Sequence, residues 1–176
     1  MNKITPLSLF TISICILIRL PALAQDKTPL KLSGEVQQPI SLSVADLQKM
    51  SSHQIAPVSI TSHKGDFKKE RASMQGILLK DVLAKAEIKA ENPKVLSEFY
   101  LVARAADGYQ VVFSWNELFN THVGESVYVV YAQGDEALTE YDGPLMLISP
   151  EDIQTGRRNV RKLAEISVRR VSRDPS

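Results

Sequence analysis

Fifteen residues, Arg104 to Leu118, constrain the fold more than any other part of this chain, because they turn, pair and cap in one unbroken run. Phe99 to Ala103 is apolar and aromatic enough for a strand, Asp107-Gly108 is a preferred type I′ hairpin pair, and Tyr109 to Phe113 reads as the returning strand. Ser114 and Glu117 then have capping-box spacing, so the second strand runs directly into a helix. Trp115, the only tryptophan, stands at that corner. A large ring there is either a plug for the core or one wall of a pocket, and the sequence leaves both open.

The 176 residues, 44% hydrophobic and 23% charged, are the balance of one globular domain. The first 24 differ. Lys3 gives a basic start, Leu7 to Ile18 is an apolar run, and Ala22-Leu23-Ala24 is a small-x-small cleavage site before Gln25. We therefore expect a signal peptide over 1–24, a polar leader over 25–29 and a single domain over 30–176, located in the periplasm. Arg19 and Pro21 break the run too early for a membrane anchor, and no later segment is long and apolar enough to span. Cleavage would remove Lys3 and Arg19 of the 21 basic residues, leaving 19 against 20 acidic, so nothing points to nucleic acid. It would also remove Cys15, the single cysteine, and with it any disulfide or thiolate metal site.

Further strands are expected at Leu30 to Gly34, Val58 to Thr61, Val127 to Ala132, Leu145 to Ile148 and Ala164 to Val171. Ser43 to Asp46 is a second capped helix start. Leu79, Val82, Leu83 and Ala86 fall at helical spacing and predict an amphipathic helix over Lys80 to Glu87. Short strands, hairpin turns and short helices without a βαβ rhythm define an α+β domain with mixed or antiparallel sheets.

Two segments could carry a site. The loop Ser62-His63-Lys64-Gly65-Asp66-Phe67-Lys68-Lys69 sets hydroxyl, imidazole, ammonium and carboxylate groups around a glycine, and reads as a strand-end site or as a solvated basic loop. The cluster Arg157, Arg158, Arg161 and Lys162 offers guanidinium groups to a carboxylate, a phosphate or a heterocycle rim, or else is a solvated helix face. No nucleophile elbow, histidine pair or other ligand spacing is present, so no catalytic or metal-ligating residue is assigned.

In order, LKLSGEV, ISLSVADLQKM, VSIT, GILLKDVLAKAEI, ADGYQVVFSWNEL, YVVYAQGDEAL, GPLMLISPED and RRNVRKLAEISV resemble the molybdopterin-binding domain of the sulfite oxidase family, from about Leu32 to Arg169. The resemblance implies a sulfite-oxidase-like fold with a pterin pocket fed by several loops. It also exposes departures. The position of the family's molybdenum-ligating cysteine falls at or beside Ser62, an arginine common after Gly-Pro-Leu is Met146, and a tryptophan common within Arg-x-Val-Arg is Asn159. The chain is thus similar to small exported pterin-binding proteins of this fold. What this implies is a non-catalytic regulator that binds a reduced pterin and acts on the periplasmic domain of an inner-membrane signalling enzyme of cyclic diguanylate metabolism, with molybdenum not expected. Ser62, His63, Trp115, Tyr141, Arg157, Arg158 and Arg161 are the expected pterin contacts. Two alternatives remain: a molybdenum-cofactor oxidoreductase domain or subunit with a substitute ligand at Ser62, and a protein-interaction module with a vestigial pocket.

Overall fold

A computed structural model describes residues 29–172; the signal peptide expected over 1–24, and the leader apart from Pro29, lie outside the described residues. The elements are β1 (Leu30–Gly34), β2 (Ile40–Leu42), α1 (Val44–Gln48), β3 (His53–Ile55), β4 (Val58–Thr61), β5 (Phe67–Arg71), β6 (Met74–Leu78), α2 (Leu79–Ala84), β7 (Phe99–Ala105), β8 (Gln110–Ser114), α3 (Trp115–Phe119), β9 (Tyr128–Gln133), β10 (Glu136–Ala137), β11 (Met146–Ile148) and β12 (Leu163–Arg170). No helix among the described residues is long and apolar enough to cross a membrane.

The first sheet has the order β2-β1-β12-β7-β8 and the second β10-β9-β6-β3 with β11 also on β9, while β4 and β5 form a ribbon of their own. β1 and β12 run parallel. The other pairings are antiparallel, so the first sheet is mixed, the second is wholly antiparallel, and the α+β class holds. Leu163, Ile166 and Val168 of β12 and Leu101, Ala103 and Ala105 of β7 are buried. They join α2 and Phe113 in the main core. A smaller core, with Ile55, Val58, Ile60, Met74, Val130, Met146 and Ile148, lies under the ribbon and anchors it.

Both capping boxes form. Ser43 and Ser114 accept from the Asp46 and Glu117 N–H groups, and each carboxylate returns to the cap N–H. The hairpin turn differs from the expected type I′. Gly108 N–H donates to the Ala105 carbonyl at 3.0 Å. Gly108 has φ +91°, but Asp107 is not among the residues with positive φ, which type I′ requires at both central positions. The Asp107 carboxylate instead accepts from Tyr109 N–H at 3.1 Å. The α2 helix also stops earlier than its spacing predicts. Beyond Ala86 the backbone pairs elsewhere, with Gln37 N–H donating to the Glu87 carbonyl and Lys89 N–H to that of Glu35. Glu87 takes a left-handed φ of +50° to make the change.

Candidate functional site

The β4–β5 ribbon pairs with neither sheet, and its local chemistry decides what it presents. Ser62 Oγ accepts from the N–H groups of Lys64 and Asp66 at 3.1 and 3.2 Å and donates to the Asp66 carboxylate at 3.1 Å, so this hydroxyl closes the turn. In β5 the register moves from Ile60 opposite Lys69 to Thr61 opposite Phe67, leaving Lys68 as an extra, bulged residue. Consecutive strand residues normally face opposite sides, and a bulge re-aims one of them. Here Lys68 and Lys69 line the same cavity.

The free edge of β4 is covered by the 3-10 turn Thr155–Arg158. Thr61 N–H donates to Thr155 Oγ1 at 3.1 Å, and that hydroxyl donates to the Ser59 carbonyl at 2.7 Å. One buried side chain thus stands in for a neighbouring strand. Gly156 lies so close that a Cβ there would fall 1.9 Å from the Thr61 carbonyl oxygen.

Between the ribbon, the β7–β8 turn, the loop bearing Tyr141 and the 155–161 segment is a cavity of about 740 Å³. Its volume is within the usual range for small-molecule sites. Arg71 closes the inner side through a buried two-point ion pair with Asp142. Tyr109 Oη donates to the Arg157 carbonyl and ties the hairpin turn to the opposite wall. Arg157 Nη2 donates to the His63 carbonyl at 2.9 Å, so the wall is also tied to the ribbon.

The cavity is cationic. Lys68, Lys69, Arg71, Arg157 and Arg161 line it against one carboxylate, Asp107. Burial, then Arg71 and Arg161, pushes the Lys69 ammonium below its ordinary value, while Asp142 works in the opposite direction. The lining also carries polar atoms without partners: Thr61 Oγ1 and Asn159 Oδ1 are buried and make no hydrogen bond within the protein.

Of the residues expected from sequence, Ser62, His63, Tyr141, Arg157 and Arg161 are brought together in this lining. Trp115 and Arg158 are not. Trp115 packs on the main core and stacks on Phe119 with centroids 5.1 Å apart. Arg158 Nε donates to Asp152 at 2.7 Å and Nη1 to Glu117 at 2.5 Å, with its guanidinium 4.3 Å from the Phe113 ring centroid. These contacts, Asp152 first, raise its pKa above the ordinary arginine value. It is a clamp between α3 and the 149–158 segment. Sequence reasoning missed Thr61, Arg71, Tyr109 and Asn159 as lining residues, and it placed Lys68 and Lys69 in a candidate site loop without assigning them a contact.

The chain matches the oxidoreductase molybdopterin binding domain over residues 18–175. It belongs to that family. The solved sulfane dehydrogenase SoxCD from Paracoccus pantotrophus has the same fold, with a TM-score of 0.61 at 20% identity. The similarity covers 83% of this chain and 39% of that one, so the chain spans well under half of the larger protein. No curated protein matches it.

This membership corrects the expectation of a non-catalytic protein. The matched family is a domain of oxidoreductases. The expected exclusion of molybdenum has no support either.

The residues present fit the organic part of molybdopterin: cations for its phosphate, and the unpartnered Thr61 and Asn159 atoms for a hydrogen-bonding heterocycle. Toward a metal they offer oxygen and nitrogen, since residues 29–172 contain no cysteine. Ser62, the substitute ligand of the alternative reading, already spends its hydroxyl on the turn.

Proposed function

We propose that this domain holds molybdopterin in the cavity between the β4–β5 ribbon and the 155–161 segment, and that it serves as the cofactor platform of an oxidoreductase. One observation carries the reading: cations in excess of carboxylates share one cavity with two buried, unpartnered polar atoms. When bound, molybdopterin supplies two-electron redox chemistry at its metal.

The chain's own residues bind and orient. Lys69, Arg157 and Arg161 would neutralise the anionic end, Thr61 and Asn159 would hydrogen-bond the ring, and Tyr109 and Tyr141 would border the opening. Fixing these groups on paired backbone lowers the ordering cost of binding. Export through residues 1–24 belongs to the same reading, and a mature amino terminus at Gln25 is its expected sign.

The test is to denature the purified protein, oxidise the released material, and identify it by fluorescence and mass, with molybdenum counted per chain. Near one equivalent of a molybdopterin-derived product is expected. Protein that releases no pterin and takes up none when offered the cofactor would remove the proposal.

A further inference from the structure

A strand at the edge of a sheet carries unpaired N–H and C=O groups, and proteins shield such edges with charge, bulges, brevity or a covering segment. The other edges of this fold follow that rule. β2 and β3 have three residues each and β10 two, and β11 is bridged by Val160. β5 carries Lys68, Lys69, Glu70 and Arg71, and β4 lies under the Thr155 turn. β8 closes the first sheet with none of these devices. Its sequence, Gln110-Val111-Val112-Phe113-Ser114, has no charge and no proline, and it pairs with β7 without a bulge.

The register shows which backbone groups of β8 are free. Ala105 N–H donates to the Tyr109 carbonyl at 2.9 Å, and Ala103 opposite Val111 and Leu101 opposite Phe113 continue in the same phase. Hydrogen-bonded positions alternate along an antiparallel pair, so Val111 and Phe113 turn their backbone groups to β7 while Gln110 and Val112 turn theirs away. Ser114 also turns away, but its N–H meets the Glu117 carboxylate at 3.4 Å and its carbonyl begins α3. Among the described residues the outward groups of Gln110 and Val112 have no hydrogen-bond partner. The Val112 side chain between them is 55% exposed.

We propose that β8 pairs with β8 of a second copy of this chain, antiparallel about a twofold axis at Val111. In that register Gln110 lies opposite the partner's Val112, and the four free groups on each strand meet in four hydrogen bonds. An axis at Val112 would instead set Gln110 against the partner's Ser114, whose backbone groups are already used. A twofold axis brings identical strands together, so a charged strand would repel itself, whereas β8 is neutral along its whole length. The two five-stranded sheets then run on as one. The seam also borders the cavity: Gly108 comes opposite the partner's Ser114, and the turn that holds Gly108 carries Asp107 and Tyr109 of the lining. The pairing is independent of what the cavity binds.

Sedimentation velocity and amide hydrogen exchange on the purified protein test this. The seam is short, so a weak dimer is expected, with a dissociation constant of about 0.1 mM or tighter. The Gln110 and Val112 amides should gain protection as protein concentration rises, while those of Val111 and Phe113 are protected throughout. Val112→Lys puts a charge into the seam and should weaken the dimer about tenfold or more. Ser41→Lys, at the exposed middle of β2 on the opposite edge of the same sheet, should leave it unchanged. Gln110 is also exposed, so Gln110→Glu supplies a second seam charge should Val112→Lys fail to fold. Protein that stays monomeric up to about 1 mM overturns the pairing. So does a dimer that both seam charges leave intact, or one that forms without the alternating protection, because either puts the contact elsewhere. Protection of the Gln110 and Val112 amides at every concentration overturns it too, since the edge would then be closed within one copy.

Discussion

Arg71 and Asp142 meet across 71 positions of sequence through Nη1 to Oδ2 at 2.8 Å and a second bond from Nη2 to Oδ1, with side chains only 3% and 4% exposed. The pair joins the end of the ribbon to the loop that presents Tyr141. Removing one partner of a buried pair strands the other charge, so Asp142→Asn should cost about 3–5 kcal/mol. In a domain of this size that lowers the melting temperature by about 10 °C or more. Thermal unfolding followed by circular dichroism reads it directly, and a loss of only a degree or two would mean the pair carries little.

The same carboxylate sets an acid limit. The Arg71 hydrogen bond, opposed by burial and helped by Thr139, holds Asp142 below its ordinary value of 3.8. A depressed folded-state value means its contribution is fully present above the unfolded value and is lost as pH falls through the lowered one. Wild-type stability should therefore decline below about pH 4, and Asp142→Asn should decline less over that window. Urea midpoints from pH 5 down to pH 2 test this, and parallel curves for the two proteins would refute it.

Arg158 and Arg161 stand three positions apart, yet one is spent on Asp152 and Glu117 and the other faces the cavity. Arg158→Lys keeps the charge and loses the fork that reaches both carboxylates at once. It should lower stability by about 1–2 kcal/mol and leave pterin affinity unchanged. An affinity loss without a stability loss would return Arg158 to the site.

That contrast shows where the sequence is legible. The β7–β8 hairpin and both capping boxes are local devices, written within a few residues of one another, and the structure bears them out apart from the turn type. The family resemblance also holds, because it rests on the order of such segments. β5 left no signal, since its first four residues are all exposed and no buried alternation marks Phe67–Arg71 as a strand. With β5 unseen, the bulge at Lys68 and the pair of Lys68 and Lys69 on one cavity were unseen too. Thr61 and Asn159 became notable only when segments 94 positions apart, bridged by Thr61 N–H to Thr155, closed over their polar atoms. Burial of a polar atom is a tertiary fact. The expectation of no catalysis failed for a different reason: it let the reading of one position, Ser62, outweigh a match to an oxidoreductase domain over residues 18–175.

Gly156 and Gly108 offer a matched test of the cavity wall. A methyl at Gly108 meets nothing within 4 Å and suffers only its φ of +91°, a strain of about 1 kcal/mol. A methyl at Gly156 strikes the Thr61 carbonyl and must push the 155–158 turn off the edge of β4. Gly156→Ala should cost about 1–3 kcal/mol and weaken pterin binding, whereas Gly108→Ala should cost less and spare it. Calorimetric melting and ligand titration on both variants would show it. Equal effects at the two glycines would mean the wall yields freely.

Trp115 closes the question raised by its place in the sequence. Its ring packs on the main core and stacks with Phe119 at an interplanar angle of 14°, on α3, which Ser114 caps. It is absent from the cavity lining. A partly buried ring of this size lost to alanine should cost about 2–3 kcal/mol, and Ser114→Ala about 1 kcal/mol through the missing cap. Neither change touches a group that faces the cavity, so pterin affinity should stay at the wild-type value in both. Melting temperatures and pterin titrations on Trp115→Ala and Ser114→Ala separate the two roles: stability lost with affinity kept assigns the ring to the core, and affinity lost at full stability would make it a wall of the site.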